Sequence, residues 1–248
     1  MPGYDCSMSF RHSRGLLLAL VFALAARLAW PANLGGAGVP EDLTAAQIVQ
    51  QIQQHNHVRT DELKHYQALR HYQVEYTGFA RKLRAKMDVE VNYDAATGKS
   101  LRIVSESGSG FLREKVLKRA VDSEKEASQD KAATALTAAN YKFNLAGSES
   151  LAGRPAYILD VEPKGASKFL YRGKVWVDAA EFAVVKFEAE PAKSPSFWIA
   201  RTLIHQSFAK TGDFWLPRQN RSETKVRIGG TAFLTIEYGT YQIESNAS

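Results

Sequence analysis

The chain has 248 residues, 45% of them hydrophobic and 23% charged, so it can build an ordinary globular core. Its formal net charge is +6, of which three arginines and one aspartate place +2 in the first 37 residues. The remaining positive charge is spread along the chain without a Lys/Arg block, which argues against nucleic-acid binding and favours at most an anionic membrane surface or an acidic partner. Cys6 is the only cysteine, so no disulfide within the chain is expected.

The N-terminal residues have the layout of an export signal. Arg11, His12 and Arg14 precede an apolar stretch from Leu16 to Trp30, and small residues follow at Gly35 and Ala37, where cleavage is expected. We interpret residues 1–37 as a signal peptide and residues 38–248 as a single periplasmic domain. The alternative is an uncleaved inner-membrane anchor facing the periplasm, but Arg27 shortens the apolar run below the roughly 20 residues that a membrane span needs.

The first part of the mature chain alternates between helix and hairpin. Asp42 or Thr44 can cap a helix that continues to about Asn56. A strand over Tyr66–Gly78 follows, and two alternating runs joined by the turn at residues 94–98 predict a hairpin. Phe111–Lys131 is a further helix candidate. The apolar positions at helical spacing are Ala45, Ile48, Val49 and Ile52 in the first helix, and Leu112, Val116 and Ala120 in the second.

From Asn140 onward the chain is predicted to be β-structure. Segments of about ten residues separated by short turns indicate an antiparallel meander. The fold class is therefore mostly β with two or three helices, as a strongly curved antiparallel sheet that forms an incomplete barrel under a helical lid. The predicted strands are Tyr141–Leu145, Ala156–Glu162, Phe169–Val177, Phe182–Glu190, Phe197–Phe208, Phe214–Pro217, Thr224–Ile228 and Ala232–Tyr241.

Motifs with catalytic or metal-binding letters all have structural explanations. The segment 97–100 lacks the first glycine of a phosphate-binding loop and lies in a strand–turn–strand context. The segment 107–110 lacks the first glycine of a nucleophile elbow. His55 and His57 point to different sides of a helix, while Glu188 and Glu190 alternate with apolar residues as a solvent-facing row. We therefore expect no enzyme activity, no catalytic residue, no metal and no cofactor.

The most informative feature of this sequence is its large apolar residues. In the strand from Phe197 to Phe208 both faces carry apolar side chains, so both need cover. A curved sheet can leave a cavity in place of a filled core, and such a cavity can hold an acyl chain, since each buried methylene contributes about 0.8 kcal/mol. The candidate cavity residues are Trp176, Phe187, Phe197, Trp198, Ile199, Leu203, Phe214, Trp215 and Phe233.

Several segments of this sequence resemble the LolA/LolB-like family of outer-membrane lipoprotein-sorting proteins, and the resemblance covers most of the chain from about residue 42. Its motifs are loose and typical of the fold. The segments that carry it are Gly153-Arg154-Pro155-Ala156-Tyr157-Ile158-Leu159, Glu162-Pro163-Lys164, Lys168-Phe169, Val175-Trp176-Val177-Asp178, and the hairpin from Asn92-Tyr93-Asp94 to Gly98-Lys99.

The resemblance implies an incomplete barrel closed by helices, with an apolar cavity that accepts acyl chains of lipoproteins or lipids. It implies a periplasmic carrier or chaperone with transient membrane contact and with inner- and outer-membrane sorting components as partners. The alternative is a regulatory module of the same fold that senses lipoproteins or lipopolysaccharide in envelope stress. The lid candidates are Ile48, Val49, Ile52, Leu112 and Val116, and Arg201 is the candidate for the family's cavity arginine.

Overall fold

The structure is a computed structural model, and it describes residues 43–78, 81–129, 131–227 and 229–245. The predicted signal peptide and the alternative anchor lie outside these residues. Over the described ranges, no helix is long and apolar enough to cross a membrane.

The described chain is mostly β-structure with helices near its start and between the third and fourth strands. Its elements are α1 (Ala45–Glu62), β1 (Leu63–Gly78), β2 (Arg81–Asp94), β3 (Gly98–Gly108), α2 (Gly110–Leu112), a π-helical turn (Arg113–Leu117), α3 (Lys118–Gln129), α4 (Lys131–Thr134), β4 (Tyr141–Leu151), β5 (Arg154–Pro163), β6 (Tyr171–Asp178), β7 (Val184–Pro191), β8 (Ile199–Thr211), β9 (Phe214–Val226), β10 (Thr231–Tyr238) and β11 (Gln242–Ser245).

Helix α1 begins where the sequence predicts. The Thr44 hydroxyl accepts a hydrogen bond from the Gln47 N–H at 3.3 Å, and the Thr44 N–H donates to the Gln47 side chain at 2.9 Å, which completes a capping box. The helix continues to Glu62, beyond the expected end at Asn56, because no glycine or proline stops it.

The strands form one open antiparallel sheet in the order β3-β2-β1-β10-β9-β8-β7-β6-β5-β4, and β11 pairs with β1 beyond the end of β10. The predicted fold, an incomplete antiparallel barrel with helices, is confirmed. The meander runs from β4 to β10, and the chain then closes back on β1, with Tyr72 opposite Ile236. Of the two strands predicted over 214–217 and 224–228, the first and residues 224–226 of the second belong to one strand, β9. A register shift at Ser207/Phe208 accommodates Pro217 within it.

Two apolar clusters cover the same face of the sheet. Helix α1 buries Ile48, Val49 and Ile52 against β4, β5 and β6. The segment 110–129, hereafter the cover helix, buries Leu112, Leu117 and Val121 against β1 and β2. Since side chains alternate along a strand, the residues that meet these helices define a helix-covered face, and their neighbours define the opposite face.

Candidate functional site

A cavity of about 910 Å³ lies between the cover helix and the hairpin of β2 and β3. This volume is within the range of about 300–1,000 Å³ that is typical of small-molecule sites. Half of its fourteen lining residues are apolar, aromatic or glycine, and the other half are polar or charged. The lining residues are Leu63, Tyr66, Tyr93, Thr97, Gly98, Lys99, Ser100, Leu101, Glu124, Lys125, Ala127, Ser128, Thr134 and Leu216.

Tyrosine rings form one wall of this cavity. Tyr66 stacks on Tyr93 with ring centroids 5.1 Å apart, and Tyr241 meets Tyr66 edge-on at 5.4 Å. The Tyr241 hydroxyl donates to the Pro217 carbonyl at 2.8 Å. Burial raises the pKa of the Tyr241 hydroxyl, so Tyr241, which packs against Tyr66, stays neutral.

A buried ion cluster lies beside the tyrosines. Alternation along β1 places Arg70 on the helix-covered face in the same row as Tyr66, Ala68 and Tyr72, and only 2% of the Arg70 side chain is exposed. An Arg70 Nη1 donates to Glu124 of α3 at 2.6 Å. The remaining Glu124 oxygen accepts from Lys99 Nζ at 2.9 Å, so one carboxylate on the cover helix joins two cations on the sheet.

The electrostatics of the cluster favour the charged forms of Glu124 and Arg70. Burial on its own disfavours the Glu124 carboxylate, but Arg70 and Lys99 outweigh it and lower the Glu124 pKa. Burial likewise opposes the charge on Arg70, and Glu124 reverses the effect so that the Arg70 pKa is raised. The Arg70 guanidinium also lies 4.6 Å from the centre of the Tyr238 ring, a cation–π contact.

This cluster is the main attachment of residues 122–129 of the cover helix, hereafter its second half. The part up to Val121, its first half, is held by the buried Leu112, Leu117 and Val121. Past Val121, the side chains from Asp122 to Ser128 are exposed or half-buried. Glu124 bonds to the sheet, and Glu126 pairs with Lys168 at the surface, at 2.7 Å. Since surface ion pairs stabilise little, separating this half of the helix from the sheet mainly means separating Glu124 from Arg70 and Lys99.

The predicted lid residues all face the sheet. Ile48, Val49, Ile52 and Leu112 are buried, and Val116 is half-buried against the cluster under the cover helix. Their packing matches their helical spacing in the sequence. Whether either helix moves as a lid is taken up under the proposed function.

The predicted cavity aromatics do not gather at one place. Phe187 is on the helix-covered face, half-buried, with its ring 6.0 Å from Tyr171 and 6.5 Å from Phe208. Phe214 is buried at the start of β9. Trp176 is buried, but it alternates with Val175 and Val177, which pack under α1, and so belongs to the opposite face.

Hydrogen bonds from the indole N–H groups account for the positions of Trp176 and Trp215. Trp176 Nε1 donates to Glu149 at 2.6 Å, with the Lys186 ammonium 4.1 Å from its ring centre. Trp215 Nε1 donates to Glu181 at 3.0 Å. Both rings are fixed by charged neighbours, as expected for a tryptophan at a strand surface.

The remaining candidates also lie outside the large cavity. Phe197 and Trp198 precede β8 and are exposed, and Ile199 is the half-buried first residue of that strand. Leu203 and Phe233 both pair with Glu223 in neighbouring strands and belong to the opposite face. The cavity under the cover helix is lined instead by residues that include Tyr66, Tyr93 and Leu101, which are not among these candidates.

Arg201 does not occupy the cavity under the cover helix, contrary to expectation. Its side chain is 57% exposed and donates to Glu190 at 2.7 Å. A register shift between Ile199 and Arg201 breaks the simple alternation on which the assignment depended. The buried arginine of the helix-covered face is Arg70, which the row Tyr66, Ala68, Arg70, Tyr72 would have revealed.

His71 and Ser105 do not form a nucleophile–base pair. His71 Nδ1 lies 2.7 Å from Asp88, and the Ser105 hydroxyl donates to the same carboxylate at 2.6 Å. Both contacts lower the Asp88 pKa, the serine bond more; the carboxylate stands between the two residues, so the histidine does not activate the hydroxyl. His55 contacts the Phe182 ring at 5.6 Å, and the described residues include no metal-binding group of three or more His, Cys, Asp or Glu.

Comparison with known proteins finds similarity to solved structures. No protein-family model and no curated protein matches it. A DUF1329 family protein from Desulfovibrio piger is similar at 11% identity and a TM-score of 0.43, over 82% of this chain and 95% of that one. An outer membrane lipoprotein-sorting protein domain from Vibrio parahaemolyticus is similar at 13% identity and a TM-score of 0.39, over 82% and 95%.

A LolA superfamily protein from Nitrosomonas europaea is similar at 11% identity and a TM-score of 0.35, over 82% of this chain and 94% of that one. The solved structures similar to this chain therefore include lipoprotein-sorting proteins, which is the resemblance that the sequence predicts. Because the TM-scores are low, these structures indicate neither a ligand nor a role for this chain.

Proposed function

We propose that this protein is a periplasmic carrier that holds acyl chains of lipoproteins or lipids in the cavity under the cover helix. The observation that carries the proposal is the cavity itself, of about 910 Å³. Leucines and stacked tyrosines share its lining with polar and charged residues, which make up half of it, and the second half of the helix above it is attached through one carboxylate. No covalent step is part of this function.

The lining chemistry fits an amphipathic ligand. Leu63, Leu101 and Leu216, together with the tyrosine wall, offer contact to methylene groups. Each buried methylene contributes about 0.8 kcal/mol, so a long acyl chain outweighs the loss of its freedom on binding. Lys99 and Lys125 at the same cavity offer charge to an anionic head.

The cover helix supplies the means of release. Its first half stays packed on the sheet through Leu112, Leu117 and Val121, while its second half turns away when Glu124 leaves Arg70 and Lys99. Few side chains in this half of the helix contact the sheet, and an apolar ligand beneath it supplies contacts in their place. Opening is thereby coupled to an ionic contact, whereas binding depends on apolar area.

Native mass spectrometry of the protein purified from a bacterial periplasm in mild buffer tests the proposal first. We expect a co-purifying mass that fragments to acyl chains. A clean unliganded mass, with no uptake of added lipid or acylated peptide, would contradict the carrier and favour a protein-interaction role.

A cavity-filling variant locates the ligand. Ala127 lines the cavity from α3, and Ala127→Phe should weaken uptake of a fluorescent fatty acid about tenfold, which corresponds to about 1.4 kcal/mol. Ala46→Phe places the same ring on an exposed position of α1 and is the control. Equal affinity of the two variants, or equal loss in both, would mean that the acyl chain binds elsewhere.

A further inference from the structure

The loop between β7 and β8 displays two adjacent aromatic side chains to solvent. Phe197 is 76% exposed and Trp198 is 56% exposed, and their ring centroids are 5.4 Å apart. Together they form one apolar unit, hereafter the aromatic tip. An exposed patch of large apolar side chains is informative because folding alone gives no reason to keep it.

The aromatic tip is held in place by its surroundings. Arg227 donates from Nε to the Phe197 carbonyl at 2.7 Å and from its backbone N–H to the Trp198 carbonyl at 2.8 Å. The Arg227 guanidinium also lies 5.6 Å from the centre of the Phe197 ring. Ser194 donates to the Ser196 carbonyl at 2.9 Å within the loop. The two rings are therefore presented by a braced loop.

Three exposed cations lie at the same end of the sheet as the aromatic tip. Lys193 is exposed in the same loop, and Arg81 and Lys82 are exposed at the start of β2. The β2 end lies beside the β9–β10 turn, because the Tyr76 hydroxyl at the end of β1 donates to the Gly229 carbonyl at 3.1 Å. Within the described ranges, none of these three cations forms an ion pair with a carboxylate.

The acidic side chains near this end of the sheet are already matched. Glu190 accepts from Arg201, and Glu75 lies 3.2 Å from Arg84. Glu223 lies 3.9 Å from Lys225. The charge left over at this end is therefore positive, next to an aromatic pair.

We propose that this end of the sheet is a docking surface for a lipid bilayer that carries anionic headgroups. Trp198 and Phe197 enter the interfacial region, where aromatic rings with a polar edge are favoured. Lys193, Arg81 and Lys82 lie over the anionic headgroups, which attract basic side chains near the surface. A protein partner would be chosen by shape, whereas unpaired cations at the same end of the sheet as an exposed aromatic pair match a charged apolar surface.

The surface goes beyond the proposed carrier function and does not depend on it. It does lie beside the cover helix: Ser196 and Ile199 line a cavity of about 480 Å³ whose other wall includes Arg119 and Asp122. A docked tip therefore places the cover helix next to the membrane surface.

Vesicle co-flotation of the purified protein tests the surface. We expect binding to vesicles of phosphatidylethanolamine and phosphatidylglycerol and much weaker binding to phosphatidylcholine alone. The double variant Phe197→Ser/Trp198→Ser should bind the anionic vesicles at least about tenfold less, since each ring is worth that much when it leaves water. The matched control Leu69→Ser/Leu145→Ser removes two apolar side chains, each 40% exposed, from the middle of β1 and β4, and should bind like the unaltered protein.

The charge contribution has its own readout. Lys193→Gln and Lys82→Gln should each lower binding about fivefold at low salt, and high salt should remove the difference. Arg102→Gln, an exposed cation in the middle of β3 paired with Glu90, should change binding little. Quenching by brominated lipids should report Trp198 at the interface and disappear in Trp198→Phe.

Absence of flotation of the unaltered protein with anionic vesicles would overturn the proposal. So would equal flotation of the tip variant and its control. Uptake of a fluorescent fatty acid without vesicles should be unchanged in the tip variant, which separates failure of this surface from failure of the carrier cavity.

Discussion

Replacing Glu124 by glutamine should loosen the second half of the cover helix, which Glu124 attaches to Arg70 and Lys99 of the sheet. The Arg70 side chain is 2% exposed, and Glu124 and Lys99 are 28% and 25% exposed. Removing one partner of a fully buried ion pair costs about 3–5 kcal/mol. Because Glu124 is partly solvated and glutamine still accepts a hydrogen bond from Arg70, we expect a loss of about 2–3 kcal/mol of unfolding free energy.

Denaturant titration measures this loss, and Glu126→Gln is the control on the same helix. Glu126 is 54% exposed and pairs with the exposed Lys168, so its replacement should change stability by less than about 0.5 kcal/mol. Hydrogen exchange should accelerate in residues 118–129 of Glu124→Gln and stay unchanged in β5 and β6. Equal stability of the two variants would refute the view that the cluster anchors the helix.

Acidification should mimic the variant, and the sign follows from the lowered Glu124 pKa. A carboxyl group with a pKa lowered by folding contributes stability that is complete above its ordinary value of 4.5. That stability is lost as the pH falls through the lowered value. Below pH 4.5 the unaltered protein should therefore lose stability more steeply than Glu124→Gln; parallel pH profiles would contradict the assignment.

Two further substitutions test the packing that surrounds the site. Ile52→Ala removes a fully buried side chain from under α1 and should cost about 2–5 kcal/mol in thermal or chemical denaturation, whereas Val58→Ala, which is 51% exposed on the same helix, should cost less than about 0.5 kcal/mol. Gly173→Ala would place its Cβ 2.1 Å from the Glu188 carbonyl oxygen and should cost at least about 2 kcal/mol, whereas Gly165→Ala meets no atom within 4 Å and should be nearly neutral. A soluble, fully stable Gly173→Ala would disprove the close approach of β6 and β7.

The helices and most strands could be predicted because their signals are local. Thr44 and Gln47 mark the start of α1 by a capping box, and the run at 94–98 is a turn in any context since Asp94 accepts from the backbone of Ala96 and Thr97. Strand β9 was divided in two because Pro217 is a poor strand residue. Its place next to a register shift, which makes it tolerable, is a property of two strands together.

The candidate site was less predictable because it is assembled from distant residues. Arg70, Lys99 and Glu124 come from β1, β3 and α3, and only the sheet order brings them together. The alternating pattern did contain one usable signal, an arginine in a row of buried tyrosines. Phe197 and Trp198, which the sequence predicts as cavity residues, lie at the surface.

The pairing of β1 with β10 has a consequence for the order in which the chain folds. β1 leaves the ribosome early, but its partner strand, and with it the Tyr238 ring that covers Arg70, is synthesised last. The meander from β4 to β10 can form from neighbouring contacts, while β1, β2 and β3 gain their place in the sheet only when the final strand arrives. Loop closure over nearly the whole chain is slow. A truncation that removes residues 231–245 should therefore leave the first hairpin, and the cavity that it walls, without a sheet to join.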